Sequence, residues 1–259
     1  MADFLDTLAQ DAKETIRKGY YKVPTQTTTA HISLKKAIVE SKTVPVITEI
    51  KAASPSAGTI RKNLEAENLA RAMEKGGAVG ISILTEPKHF KGSLNSLVSA
   101  RKAVKLPILM KDIILSPTQL EAASKVGADA ALLIQALFDR GCCECDINEM
   151  ITEAHSKNLE VLLETHNKTE FRSAVNSDAD LIGINNRDLG TLKVDLGITG
   201  RILKNSDVKG KIVVSESGIN TPDDLRFLRE CGAHAFLIGS AIMFASDIEG
   251  KVREFVRAV

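Results

Sequence analysis

Eight short apolar runs, each followed by a stretch with helical spacing, constrain this chain more than any other feature. They read VITEI (46–50), GISIL (80–84), PILMK (107–111), ALLIQ (131–135), EVLLE (160–164), LIGIN (181–185), IVVSE (212–216) and AFLIG (235–239). Near-continuous apolar runs of this length are strands buried on both faces, the pattern of a parallel sheet. The segments between them, from NLEAENLARAMEKGG to DIEGKVREFVRAV, carry the apolar spacing of amphipathic helices. Three of these end in a Gly-Ala or Asp-Ala step directly before a strand: Gly127-Ala128, Asp178-Ala179 and Gly232-Ala233. A strand–helix unit repeated eight times predicts an α/β fold of the closed (β/α)8 TIM-barrel type, and 259 residues suit one such domain. A Gly-rich dinucleotide fingerprint after the first strand is absent, which argues against an open doubly wound sheet.

Ahead of Pro45, Phe4, Leu5, Leu8, Ala12 and Ile16 form one helical stripe stopped by Gly19 and Pro24. A Thr-rich link, TQTTTA, leads to a second short helical pattern, SLKKAIVESK. The chain therefore reads as a single domain, with a helical extension over 1–44 and a barrel over 45–259. Net charge is +1 and no Lys/Arg block stands out, so neither nucleic acid nor an anionic membrane is expected as partner. No apolar run approaches the roughly 20 residues of a bilayer span. The opening MADFLDTLAQDAKETI carries Asp3 and Asp6 where a signal peptide has a basic start, so a cytoplasmic location is expected.

In a (β/α)8 barrel the active site lies at the carboxyl ends of the strands. Those ends supply Glu49 and Lys51, Lys111, Glu164, Asn185 with Arg187, Glu216 with Ser217, and Gly239 with Ser240. The opposite ends read as small, apolar or proline. Side chains two apart on a strand share a face, so Glu49 and Lys51 are aimed side by side, next to the Ser-Pro-Ser-Ala-Gly turn that follows. Solvated loop charges or structural ion pairs are the bland alternative for any one of these residues. A whole set gathered at one rim points instead to groups tuned for chemistry.

The last two units suggest a phosphate site. VVSESGI and LIGSAIM offer small residues whose backbone N–H groups can face an anion, at Ser217, Gly218, Gly239 and Ser240, and the second opens a short helix. Phe90, after the second strand, is a candidate pocket wall with packing as the alternative. His89 and His166 lie in strand-end loops and receive no role; His31, His155 and His234 show no metal-ligand spacing. Cys142 and Cys145 have C-x-x-C spacing in RGCCECD, but no second pair completes a zinc set, and a reduced surface turn is expected. No metal site is expected.

EIKAASPSAG, PILMKDII, LLETHN, IGINNRDL, VSESGI and FLIGSAIM, in this order and spacing, resemble the indole-3-glycerol phosphate synthase family of tryptophan biosynthesis over essentially the whole chain. The resemblance implies a carbon–carbon lyase. It closes, decarboxylates and dehydrates 1-(2-carboxyphenylamino)-1-deoxyribulose 5-phosphate without a cofactor. Its active-site positions carry over onto Glu49, Lys51, Lys111, Glu164, Asn185, Glu216 and Ser217, with Ser54, Arg187, Gly218, Gly239 and Ser240 as substrate and phosphate contacts; Phe90 joins the substrate-binding set from its place after the second strand. Two departures concern the first loop and the aryl pocket: Ala52 stands where the family usually has a basic residue, and Ile113 where an aromatic is common.

The implied chemistry needs a cation to protonate the ketone that an aryl carbon attacks. Lys111 is the expected general acid, with its pKa lowered by burial and neighbours. Lys51 is expected to hold the carboxylate and to assist loss of hydroxide. Glu164 or Glu49 removes the last proton, and Glu216 and Asn185 orient the lysines and the ribulose hydroxyls. The expected partner is a phosphorylated aryl-amino sugar, and the expected assembly a monomer or weak homo-oligomer. Rival readings are a phosphoribosylanthranilate isomerase, which would want a Cys/Asp pair at strand ends, a Schiff-base aldolase, and a non-catalytic phosphosugar-binding barrel.

Overall fold

The computed structural model describes residues 3–25, 30–54, 58–61 and 64–258. Eight parallel strands close into a barrel: β1 (Val46–Ile50), β2 (Gly80–Leu84), β3 (Ile108–Lys111), β4 (Ala130–Ile134), β5 (Glu160–Thr165), β6 (Leu181–Asn185), β7 (Ile212–Glu216) and β8 (Ala235–Ile238). Each strand pairs with its neighbours in sequence, and closure comes from β8 against β1, with Val46 opposite Phe236 and Thr48 opposite Ile238. The eight apolar runs are thus the eight staves, displaced by no more than one residue at either end.

Alternation along the staves separates two cores. Ile47, Leu109, Leu132, Leu162, Val214 and Leu237 fill the barrel interior. The residues between them, such as Ile81, Met110, Leu133, Ile182, Val213 and Phe236, pack outward against the helical ring. That ring contains α3 (Ala66–Gly76), α4 (Leu94–Ala103), α5 (Pro117–Val126), α7 (Ile147–Ser156), α8 (Lys168–Val175), α9 (Gly197–Leu203), α10 (Pro222–Glu230) and α12 (Ile248–Val256). Helix starts are set by side-chain caps: Ser116, Asp146 and Thr221 each complete a reciprocal capping box. Gly127 ends α5 in the left-handed conformation at φ 90°, so the Gly-Ala step there is a helix stop.

The front segment closes the barrel at both ends. Helix α1 (Phe4–Arg17) sends Leu5, Leu8, Ala9 and Ala12 into the cluster that continues the barrel interior. The chain after it is pinned to the carboxyl ends of β2 and β3, where the Tyr20 hydroxyl donates to the Thr85 carbonyl (3.1 Å) and the Tyr21 hydroxyl to Asp112 (2.9 Å). At the far end, Ile32 N–H donates to Asp129 (2.8 Å) just before β4, and α2 (Leu34–Val39) buries Leu34 and Ile38. Glu160, the first residue of β5, breaks the expected rule that strand starts are uncharged. Its carboxylate accepts from the Ser33 hydroxyl and from Lys35 N–H (2.9 Å), fastening α2 to the barrel base.

Three local features differ from the sequence reading or add to it. Gln135 does not end β4 but begins a short helix, α6 (Gln135–Asp139), which follows the strand without a loop; the short helix expected after β8 is α11 (Ser240–Met243). After β1 the chain forms a two-residue hairpin, Ala53–Ser54 against Gly58–Thr59. Residues 55–57 of the Ser-Pro-Ser-Ala-Gly turn, like 26–29 of the Thr-rich link, lie outside the described residues. The cysteines of RGCCECD are free, half-buried thiols in the turn between α6 and α7, and burial pushes the Cys143 thiol up to about 12.

Candidate active site

A cavity of about 240 Å³ opens at the carboxyl ends of the strands. Every sequence-derived candidate except Glu216 lines it: Glu49, Lys51, Ser54, Phe90, Lys111, Glu164, Asn185, Arg187, Ser217, Gly218, Gly239 and Ser240. Glu216 lies behind the wall, fully buried, with its carboxylate 2.9 Å from the Lys111 ammonium.

Lys111 is the hub. Besides Glu216 it faces Glu49 at 3.5 Å and Glu164 at 3.8 Å, while Lys51 pairs with Glu49 at 2.8 Å. Burial alone would pull the lysine pKa down. The surrounding carboxylates Glu216, Glu49 and Glu164 outweigh it, and the net shift is upward. The expected lowering is therefore corrected: closing the barrel puts three acids around one base. Lys111 stays loaded with its proton.

The acids divide in turn. Burial pushes the Glu49 carboxyl up, but Lys51 and Lys111 more than reverse it, so Glu49 is held below its usual range. Burial also raises Glu216, and with Glu164 and Glu49 nearby and only Lys111 opposing, it is pushed up to about 7. Native Glu216 thus binds its proton more tightly than the unfolded chain, whose ordinary value is 4.5. The stability this group contributes is present below that value and is lost as pH rises through about 7. Glu216→Gln, which cannot ionise, is expected to gain about 2 kcal/mol on the native protein between pH 5 and pH 8. Urea unfolding at the two pH values reads this, and a constant difference would show that Glu216 is ionised throughout.

Room for the charged heads comes from glycine. A Cβ on Gly183 would lie 2.3 Å from a Glu216 carboxylate oxygen, and one on Gly239 would lie 2.4 Å from Glu49 and 2.8 Å from the Lys51 ammonium. The turn after β7 is also special, since Ser217 and Gly218 both have positive φ, 67° and 85°. A non-glycine residue held there is costly and reaims the backbone. The opposite wall is apolar. Phe90 and Ile113 are joined by Leu132 and Ile134 of the barrel and by Phe4 and Leu8 of α1.

Phe4 and Leu8 were not among the sequence candidates, because their helical stripe gives no sign of which surface it covers. Their helix is tied to the loop carrying Phe90 by Lys88 with Asp11 (2.9 Å) and by His89 with Asp11 (2.7 Å). Loop residues Leu189, Leu192 and Val194, also at the wall, carry no strand-end signal. His166 was missed too, although period two along Leu162, Glu164 and His166 puts it on the inward face. It stands behind Glu164, with ring Nε2 3.2 Å from that carboxylate. Among the described residues, no group of three or more His, Cys, Asp or Glu side chains could hold a metal.

Comparison with known proteins agrees with this architecture. A family model described as indole-3-glycerol phosphate synthase matches residues 5–255. Indole-3-glycerol phosphate synthase of Methanocaldococcus jannaschii is 46% identical over 229 residues, covering 87% of this chain and 83% of the relative. That of Carboxydothermus hydrogenoformans is 37% identical over 268 residues, covering 98% and 100%. Among solved structures, thiamine phosphate pyrophosphorylase from Pyrococcus furiosus superposes with a TM-score of 0.60 at 18% identity, covering 87% of this chain and 97% of that one, a likeness of fold alone.

Proposed function

We propose a division of labour among these side chains from one premise: the chain belongs to the indole-3-glycerol phosphate synthase family and is a carboxy-lyase of tryptophan biosynthesis. The reaction closes the ring of 1-(2-carboxyphenylamino)-1-deoxyribulose 5-phosphate, expels carbon dioxide and then water. The observation that carries the assignment of roles is the single lysine, Lys111, ringed by three glutamates at one rim.

Attack of the aryl carbon on the ketone leaves an alkoxide. Lys111 delivers a proton to that oxygen. Its raised pKa makes it a weak acid, but an alkoxide is a stronger base still, and the lysine is always protonated when substrate arrives. Lys51, the second ammonium on the cavity wall among the described residues, holds the substrate carboxylate and assists loss of hydroxide. Carbon dioxide leaves from the carbon whose electrons then restore the aromatic ring. Dehydration ends with removal of a proton from the carbon beside the nitrogen, which is acidified by the cation that hydroxide loss creates.

Between the two candidate bases the geometry favours Glu164. Glu49 is tied to Lys51 at 2.8 Å and faces Lys111 at 3.5 Å, so two lysines hold it, whereas Glu164 faces one lysine. Glu164 lies farther from Lys111, at 3.8 Å, and is ionised throughout the working range. Glu216, off the wall, orients Lys111. Ser217, Gly218, Gly239 and Ser240 receive the phosphate, Asn185 and Arg187 the ribulose hydroxyls, and the apolar wall the aryl ring.

A small phosphorylated aryl-amino sugar is thus the proposed partner, and a cytoplasmic monomer or weak homo-oligomer the proposed state. The test uses the absence of tryptophan from the chain. Appearance of indole fluorescence on adding the carboxyphenylamino sugar phosphate is seen against a dark background. Tight binding of that compound with no product would instead mark a non-catalytic barrel.

A further inference from the structure

We propose that His166 is a positioning residue, a doubly protonated imidazolium clamped between Glu164 and Glu170 that fixes the orientation of the Glu164 carboxylate. The inference deepens the assignment of Glu164 as base and rests on it. Ring Nε2 stands 3.2 Å from Glu164 and ring Nδ1 3.2 Å from Glu170, so each nitrogen faces an acceptor-only group. A neutral ring carries one N–H and would set a lone pair against one carboxylate; a charged ring satisfies both. Nε2 makes no aligned hydrogen bond to Glu164, so the hold there is that of an ion pair.

The far end of the clamp is itself anchored. Glu170 sits in the first turn of α8, where its carboxylate accepts from His166 backbone N–H (2.8 Å) and from the Asn167 side chain. Asn167 in turn caps the helix through Thr169 and Glu170 N–H (both 3.0 Å). A rigid helix end therefore reaches the reactive carboxylate through one ring. Three acidic groups act on His166: Glu164 from β5, Glu170 from α8 and Asp188 from the loop after β6. Burial pulls the ring pKa down, but Glu164 and Glu170 lift it to about 10. On the other side of Glu164 stands Lys111, so the base is spanned by two cations.

The test combines a spectroscopic and a kinetic arm. Nitrogen NMR of the histidine rings in the intact protein, with the His166 signal identified by its loss in His166→Gln, is expected to show both ring nitrogens protonated at pH 8. Glu170→Gln, remote from substrate, is expected to bring that ring's deprotonation down by more than one pH unit and to lower kcat about tenfold at unchanged KM. His166→Ala is expected to lose more of kcat than His166→Gln, whose amide can donate to Glu164. A ring that is neutral at pH 8, or Glu170→Gln with unchanged kcat, overturns the clamp. Equal kcat in His166→Ala and His166→Gln, each following its loss of thermal stability, would show a packing role and overturn it too. Full turnover in Glu164→Gln sinks the base assignment instead, and leaves the ring's protonation where the NMR finds it.

Discussion

Lys111→Ala is expected to cut kcat by about a thousandfold or more while the barrel still folds. The alkoxide formed on ring closure would meet no proton donor and no positive charge, and such a loss typically costs two to four orders of magnitude. The fold should survive because Lys111 sits at the open end of β3, above the apolar layers built by Leu109, Leu132, Leu162 and Val214. Removing it leaves Glu49, Glu164 and Glu216 facing one another without their common cation, a destabilisation of about 3 kcal/mol that protonation can relieve. The variant should therefore be most nearly wild type in stability near pH 5 and lose ground as pH rises through the raised carboxylate range. Steady-state fluorescence assays and circular-dichroism melts read the two effects separately. Turnover within tenfold of wild type in a folded Lys111→Ala protein removes the acid role.

Glu164→Gln should be almost as severe, near a thousandfold in kcat, with KM changed by less than about threefold. The amide keeps the size of the side chain and can still contact Asn185, but it has no charge to take a proton. Ring closure and decarboxylation precede the step that Glu164 serves, so carbon dioxide should still be released in a first turnover. The hydroxylated intermediate, its benzene ring restored but its five-membered ring still saturated, would then persist. Single-turnover measurement of carbon dioxide against indole fluorescence separates the steps. Equal losses in both signals would place Glu164 earlier in the sequence of events.

The staves of the barrel were readable because strands covered on both faces leave few polar positions, and the helices between them carry their own period. The rim was readable because a charge at the end of an otherwise apolar run is costly to bury unless it is paired or put to use. What the sequence could not show were properties that exist only after closure. Lys111 looks like a buried amine whose pKa should fall; the fall is reversed by glutamates that lie 62, 53 and 105 positions away in the chain. Glu160 looks like an exception at a strand start until α2 is seen hanging from it. Phe4 and Leu8 announce a helix face without its destination. His166 was legible by parity with Glu164, yet the carboxylate behind it, Glu170, belongs to the next helix.

The two glycines beneath the charged heads set an unusual pattern of tolerance. Most inward positions of this barrel are filled by aliphatic side chains, where trimming a methyl leaves a void and costs about 1 kcal/mol. At Gly183 and Gly239 the hazard runs the other way: one added methyl, the smallest change a codon can make there, would push a carboxylate out of its seat. Drift in this molecule is thus bounded by bulk in its floor and by emptiness at its brim, where even the single methyl of alanine crowds a charged head.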